Sequence, residues 1–341
     1  MLYFQNDYSN GACEQVLKAL ISTNNEYTAP YGDDKYSISA REKIKKAIDC
    51  PQADIHFLVG GTQTNKVVIS SLLKPYQGVI SADTGHINLH EGGAIESSGH
   101  KVMAIKHQNG KIATDDLTAY LETYFADDSR EHMVYPGMVY ISHPTEYGTL
   151  YTKSELESLY NICNEYNIPL FLDGARLGYG VMADDTDVTL ADIAKYTDVF
   201  YIGGTKVGTL CGEAVVFTKN NTPEHFLTQI KLNGAMLAKG RLAGVQFDAL
   251  FTDNTYLEIS KNAIKTANTL KEALALKGYR FFINSPTNQI FIIMPNKKLE
   301  ELKDKVTYSR WEKYDDENTV IRFVTSWSTK PEDVKALIEL L

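Results

Sequence analysis

The chain has 341 residues, more than one core usually carries, which predicts two packed domains. Apolar residues make up 43%, enough for large cores without disulfides or structural metal. A formal net charge of -9 with no basic cluster excludes a surface built for nucleic acid.

The longest apolar runs, such as Ile290–Met294, suit buried strands and predict no membrane span. The N-terminus turns polar by Gln5, which predicts no secretory leader. Cys13, Cys50, Cys163 and Cys211 fit no metal template and no disulfide framework. Free thiols in a reducing cytoplasm are the expectation.

Along the chain, helical patterns alternate with short apolar runs from about residue 40 to residue 250. Ala40–Ile48 reads as a helix. Ile55–Val59 is a strand that ends in Gly60-Gly61-Thr62, and Asn65–Leu73 is the helix after it. Gly78–Ala82 is a strand followed by the loop Asp83–Asn88. Met138–Ser142, Leu170–Leu172, Val199–Ile202 and Gly212–Thr218 are further strands, with a helix at Ser154–Tyr166. This alternation predicts an α/β fold: a mostly parallel sheet with helices on both faces. Beyond residue 250 the texture changes. A long helix, Ile259–Leu276, precedes strand patterns at Arg280–Asn284, Gln289–Met294 and Val320–Thr325, and a helix at Pro331–Leu341 closes the chain. The expected division is a large domain over 1–250 and a smaller α+β domain over 251–341, with residues 1–20 able to pack on the latter.

Ligands in such sheets bind beyond the carboxyl ends of strands. Thr62, Asp173 and Lys206 all lie just past such ends. A lysine is most often a solvated surface charge. Lys206, however, follows a buried strand in a Gly-rich loop, where a partly desolvated amine can form an imine with an aldehyde. Asp173-Gly174 reads as a turn, or as a carboxylate that keeps a pyridine nitrogen protonated. Gly60-Gly61-Thr62 reads as a plain turn, or as a phosphate loop at a helix N-terminus. His86 is a loop histidine, either structural or placed to stack on a flat ring and handle protons. Arg322 either points to solvent or offers its planar fork to a carboxylate.

Taken together, these residues resemble the low-specificity L-threonine aldolases, within the β-eliminating lyase group of fold type I pyridoxal phosphate (PLP) enzymes. The stretches that carry the likeness include Asn6-Asp7-Tyr8, Gly61-Thr62-Gln63-Thr64-Asn65, Gly85-His86-Ile87, Glu91-Gly92-Gly93-Ala94, Asp173-Gly174-Ala175-Arg176, Gly204-Thr205-Lys206, Gly212-Glu213-Ala214-Val215-Val216-Phe217 and Arg322-Phe323-Val324-Thr325. The resemblance implies a seven-stranded, mostly parallel sheet. It makes Lys206 the imine lysine and Asp173 the partner of the pyridine nitrogen. Gly61 and Thr62 would bind phosphate, with Asn65 nearby, and His86 would stack on the ring. Arg176 would lie by the cofactor and, with Asn6 and Arg322, by the substrate carboxylate; His132 would stand near the β-hydroxyl, whose proton His86, His132, a water or the cofactor phosphate could take. No metal is implied.

The implied reaction is retro-aldol cleavage of L-threonine, L-allo-threonine or a related β-hydroxy amino acid to glycine and an aldehyde. β-Elimination or racemisation on the same scaffold, and a PLP-fold protein without catalysis, are the alternatives. The family also implies a homodimer or homotetramer with shared sites, a small-molecule substrate, and neither nucleic acid nor membrane as partner. Asn6 stands where the family often has serine, Leu237 where an arginine is common and Ser326 where histidine is common. These departures bear on substrate choice rather than on the cofactor.

Overall fold

The computed structural model describes residues 1–341. Its strands, in chain order, are β1 (Leu2–Tyr3), β2 (Asp54–Leu58), β3 (Gln77–Ala82), β4 (Val102–Ile105), β5 (Tyr135–Ser142), β6 (Leu170–Asp173), β7 (Val199–Gly203), β8 (Glu213–Phe217), β9 (Arg280–Phe281), β10 (Gln289–Pro295), β11 (Val306–Thr307), β12 (Ser309–Lys313) and β13 (Asn318–Val324). Seven of them form one sheet in the order β2-β8-β7-β6-β5-β3-β4. The pairings from β7 through β4 are parallel, while β8 runs antiparallel to both its neighbours. The mostly parallel seven-stranded sheet is therefore present. β4 and the helix Thr114–Ala126 are additions to the expected elements. Only two of the four β4 residues are buried, which leaves little apolar pattern to read.

The sheet is buried on both faces, so its strands lack a polar side. Val139, Ile141, Leu170, Leu172, Phe200, Ile202, Ala214 and Val216 point into one core cluster. Their alternate neighbours, Met138, Tyr140, Phe171, Val199, Tyr201, Val215 and Phe217, point into the other. Successive side chains of a strand face opposite ways. The second face therefore also receives Ser142, Asp173 and Glu213 at the strand ends. Full burial of each such aromatic or aliphatic side chain contributes about 1.5–3 kcal/mol.

Helices cover both faces. The helix Lys35–Ala47 begins well before the expected Ala40, because the Asp34 carboxylate accepts the N–H groups of Tyr36 at 3.0 Å and Ser37 at 2.9 Å. A Thr152/Glu155 capping box starts Lys153–Glu165. β12, β13, β10 and β9 make an antiparallel sheet, and β1 pairs with β11. Phe4 is buried in a third cluster with Leu270, Ile292, Phe323 and Leu337. No helix is long and apolar enough to cross a membrane.

Two glycines let the ends of β6 and β7 touch. A Cβ on Gly174 would sit 2.0 Å from the Tyr201 carbonyl oxygen, and one on Gly203 would sit 2.4 Å from that of Ala175. Only residues without side chains fit where the two strands deliver Asp173 and Lys206 to the same place.

Candidate active site

A cavity of about 350 Å³ opens at the carboxyl ends of β5, β6 and β7. Gly61, Thr62, His86, Glu91, Ser142, Glu146, Asp173, Arg176, Thr205, Lys206 and Glu213 line it, together with Tyr8 and Tyr201. Most of the expected site residues thus converge on one place.

Asp173 forms the floor. Its Oδ2 accepts from the Tyr140 hydroxyl at 2.6 Å and from Asn65 Nδ2 at 3.0 Å. Its Oδ1 accepts from the Tyr201 hydroxyl and from the Ala175 N–H at 2.9 Å. Burial alone would raise the carboxyl, but the His86 charge and the donors from Tyr140, Tyr201 and Asn65 outweigh it and hold the pKa below its ordinary value. A buried carboxylate that stays ionised can keep a ring nitrogen protonated.

Lys206 stands above this floor. Its backbone carbonyl accepts from the Tyr179 hydroxyl at 2.6 Å, while its amino group lines the cavity without an ion-pair or hydrogen-bond partner. Burial and the nearby Arg176 charge lower its pKa, partly offset by Asp7, Asp173 and Glu213. The result is a larger share of neutral, nucleophilic amine than a surface lysine has.

Arg176 donates through Nε to Asp7 Oδ2 at 2.7 Å and through Nη2 to Asp7 Oδ1 at 2.9 Å. Its Nη1 keeps no protein partner. Asn288 also donates to Asp7, at 3.0 Å. His86 is set by two contacts: Nδ1 lies 2.8 Å from Glu91 Oε1, and its backbone N–H donates to Glu146 Oε1 at 3.0 Å.

The fit to PLP can be judged from these residues. Lys206 offers an unpartnered amine and Asp173 an ionised floor. The helix Gly61–Leu72 presents its first-turn N–H groups, which no helix carbonyl can accept. A Cβ on Gly60 would meet nothing within 4 Å, so open space lies beside that turn. The residues present fit the group.

Three expected residues lie elsewhere. His132 is exposed in a 3-10 turn before β5, at the end of that strand opposite the cavity. The histidine therefore does not reach the site within this chain. Asn6 lines a separate surface cleft with Ser326 and Ser328, and its side chain accepts from the Tyr8 N–H at 3.1 Å. Its neighbour Asp7 is the residue that reaches Arg176. Arg322 sits behind the cavity wall on β13, donating to Gln289 Oε1 at 2.7 Å and to Ser309 Oγ at 3.3 Å, with Trp311 against its guanidinium. Its Nε is buried and unpartnered. Burial and the Arg176 charge bring its pKa down to about 10, so it stays cationic at neutral pH.

The reading of single residues gave no part to Asp7, Glu91, Tyr140, Glu146, Tyr201 or Glu213. Asp7, Glu91 and Glu213 stood inside stretches that carry the resemblance. For Glu213, a carboxylate beside a glycine at a strand end is the signal that could have singled it out.

Comparison with known proteins agrees with this geometry. A beta-eliminating lyase family model matches residues 4–296. A low specificity L-threonine aldolase from a Pseudomonas species is 28% identical, covering 98% of this chain and 95% of that protein. The threonine aldolase structure from Leishmania major superposes with a TM-score of 0.96 at 39% identity, over 100% of this chain and 98% of that one. An aspartate aminotransferase from Thermus thermophilus, at 14% identity and a TM-score of 0.70 over 100% of this chain and 90% of that one, shares the fold alone. The chain belongs to the beta-eliminating lyase family.

Proposed function

We propose that this protein is a PLP-dependent aldolase that cleaves L-threonine, L-allo-threonine or a related β-hydroxy amino acid to glycine and an aldehyde. The observation that carries the reading is the unpartnered, partly desolvated amine of Lys206 over the ionised Asp173 in one cavity. PLP, when bound, supplies an electron sink for the bond broken at the substrate's Cα.

In this reading Lys206 anchors the cofactor, and its lowered pKa keeps the amine ready to be displaced and to return. Asp173 holds a proton at the ring nitrogen, with Tyr140, Tyr201 and Asn65 fixing the carboxylate. Gly61 and Thr62 face the phosphate with backbone N–H groups and a hydroxyl. His86, its Nδ1 held by Glu91, offers its ring face. Arg176 presents Nη1 to the substrate carboxylate. Arg322 stands outside the cavity, but close enough to feel the Arg176 charge, so it would add to the positive potential that favours an anion there. Fixing the carboxylate sets which bond at Cα aligns with the π system.

The division into domains over 1–250 and 251–341 belongs to the same reading, with Phe4 of the N-terminal segment packed in the core of the smaller unit. So does assembly as a dimer or tetramer, which the exposed Leu227 and Leu232 on the helix Phe226–Leu232 support. Four free cysteines, three of them buried, suit a cytoplasmic setting.

The test is an absorption spectrum of the purified protein with PLP, beside Lys206→Ala, followed by an assay of L-threonine products. A visible band that the variant lacks, with acetaldehyde and glycine as products, is expected. A keto acid and ammonia would move the reading to elimination, and a racemised amino acid would move it to racemisation. A protein that takes up no PLP would overturn it.

A further inference from the structure

We propose that Glu146 is the catalytic residue that takes the proton from the substrate's β-hydroxyl. This rests on the aldolase reading above and adds a residue that no part of that reading employs.

Glu146 follows β5 and lines the cavity with Lys206, Asp173 and Arg176. Its two oxygens are placed differently. Oε1 accepts from the Ser142 hydroxyl at 2.7 Å and from the His86 N–H at 3.0 Å, so the carboxylate is fixed in direction. Oε2 keeps no protein partner. The side chain is thus held by one oxygen with the other left open as an acceptor.

The other carboxylate oxygens around the cavity are committed or, for Glu91 Oε2, buried without a partner. The Asp173 oxygens each receive two donors. Glu91 Oε1 is shared by Asn65 and His86, and its Oε2 is sealed from the cavity. Glu213 accepts from the Gly204 N–H at 3.1 Å and the Thr205 hydroxyl at 2.8 Å. Burial pushes its carboxyl up to about 8, so near neutral pH it is mostly protonated and unfit as a base. His86 has one nitrogen committed to Glu91, and its face is the surface assigned to the cofactor ring.

Glu146 itself is held above its ordinary pKa by burial and by the Asp173 charge, against the lowering effects of the Ser142 donor, of its own backbone N–H and of His86. A carboxylate raised in this way is, once deprotonated, a stronger base than a surface one. The titratable and charged groups around the same cavity are His86, Glu91, Asp173, Arg176, Lys206 and Glu213.

The β-oxygen gives its proton to Glu146 Oε2, and the freed O–H electron pair forms the aldehyde carbonyl. The electron pair of the breaking Cα–Cβ bond would go to the sink that PLP would supply when bound. Cα gains one proton and Glu146 gives up the one it took, so threonine yields acetaldehyde and glycine with no other reactant.

Glycine has no β-hydroxyl, which separates this role from a structural one. The experiment compares wild type, Glu146→Gln and Glu146→Asp, each loaded with PLP. Three quantities are read: PLP uptake by absorbance, exchange of the glycine α-proton with deuterium by NMR, and threonine cleavage against pH. Glu146→Gln is expected to bind PLP and exchange glycine within a few-fold of wild type while cleaving threonine about 100-fold to 10,000-fold more slowly. Glu146→Asp should keep part of the cleavage rate. In wild type, cleavage should fall as pH drops through the raised pKa, and the glutamine variant should lose that limb. Cleavage by Glu146→Gln within a few-fold of wild type would overturn the assignment, as would a parallel loss of glycine exchange. If wild type itself releases no aldehyde from any β-hydroxy amino acid while binding PLP, the aldolase reading fails instead.

Discussion

Glu91 and Asp173 share a single amide: Asn65 Nδ2 donates to Glu91 Oε1 at 2.7 Å and to Asp173 Oδ2 at 3.0 Å. The same Glu91 oxygen lies 2.8 Å from His86 Nδ1. One fully buried asparagine therefore ties the residue proposed to face the cofactor ring to the residue proposed to sit beneath its nitrogen. It also separates two buried carboxylates that would otherwise repel. Asn65→Ala removes a donor from each. Hydrogen bonds to charged groups contribute about 1.5–3 kcal/mol. PLP affinity should fall by about tenfold to a hundredfold, measured by titrating apoprotein and following cofactor absorbance. Unchanged affinity would show that the bridge does not support the site.

In the ion pair between Arg176 and Asp7 the carboxylate is fully buried and the guanidinium largely so, at 13% exposure. Asp7 is held below the ordinary carboxylate range: burial raises it, but Arg176 and Lys206 win. Replacing Asp7 with alanine leaves Arg176 buried without its counter-charge. Removing one partner of such a pair costs about 3–5 kcal/mol, which should appear as a lower urea midpoint. Asp7 also raises the Lys206 pKa. The milder Asp7→Asn should therefore shift the pH dependence of PLP uptake to lower pH, because Lys206 then loses its proton more easily.

His132 supplies the opposite kind of test. It is exposed before β5, whose far end carries Ser142 and leads to Glu146. His132→Ala should leave threonine cleavage within about twofold of wild type, since surface changes away from a site rarely matter. A loss beyond tenfold in kcat would mean that the residue reaches a site on a second copy of the chain.

What the sequence made legible follows from how local each signal is. Lys206, Asp173 and the Gly61-Thr62 turn each end a buried strand, and glycines beside them mark close approach. Those signals need only a few neighbouring residues. Tyr140, Tyr201 and Glu146 depend on register: Ser142 pairs with Asp173, so Tyr140 lands on the face that Asp173 occupies. No short window of sequence contains that fact. Asp7 and Arg176 meet across most of the large sheet's length of chain, and the apolar pattern around Asp7 gives no hint of it. His132 stands before β5, and which end of that strand meets the cavity is not written in the residues around it. The start of the first long helix was missed for a smaller reason, because Asp34 reads equally well as a loop residue until its side chain is seen on the Tyr36 and Ser37 amides.

His143 gives a stability prediction with a definite sign. Its ring is fully buried in the turn after β5. Nδ1 accepts weakly from the Tyr151 N–H at 3.4 Å, and Nε2 has no partner. Burial, helped by the Lys111 charge, lowers its pKa from 6.5 to about 4, so the folded protein holds this histidine neutral. Above pH 6.5 neither folded nor unfolded chain protonates it, and it adds nothing to pH dependence. Between 6.5 and 4 the unfolded chain takes up a proton that the folded chain refuses, so the native state is progressively destabilised as pH falls. Below about 4 both states bind the proton and the loss levels off at roughly 3 kcal/mol. His143→Gln lacks this term. The stability difference between wild type and variant, from urea melts at pH 7 and pH 4.5, should therefore shift toward the variant by about 2–3 kcal/mol on acidification. A difference that stays constant across that range would mean that the buried ring takes up its proton without cost to the fold.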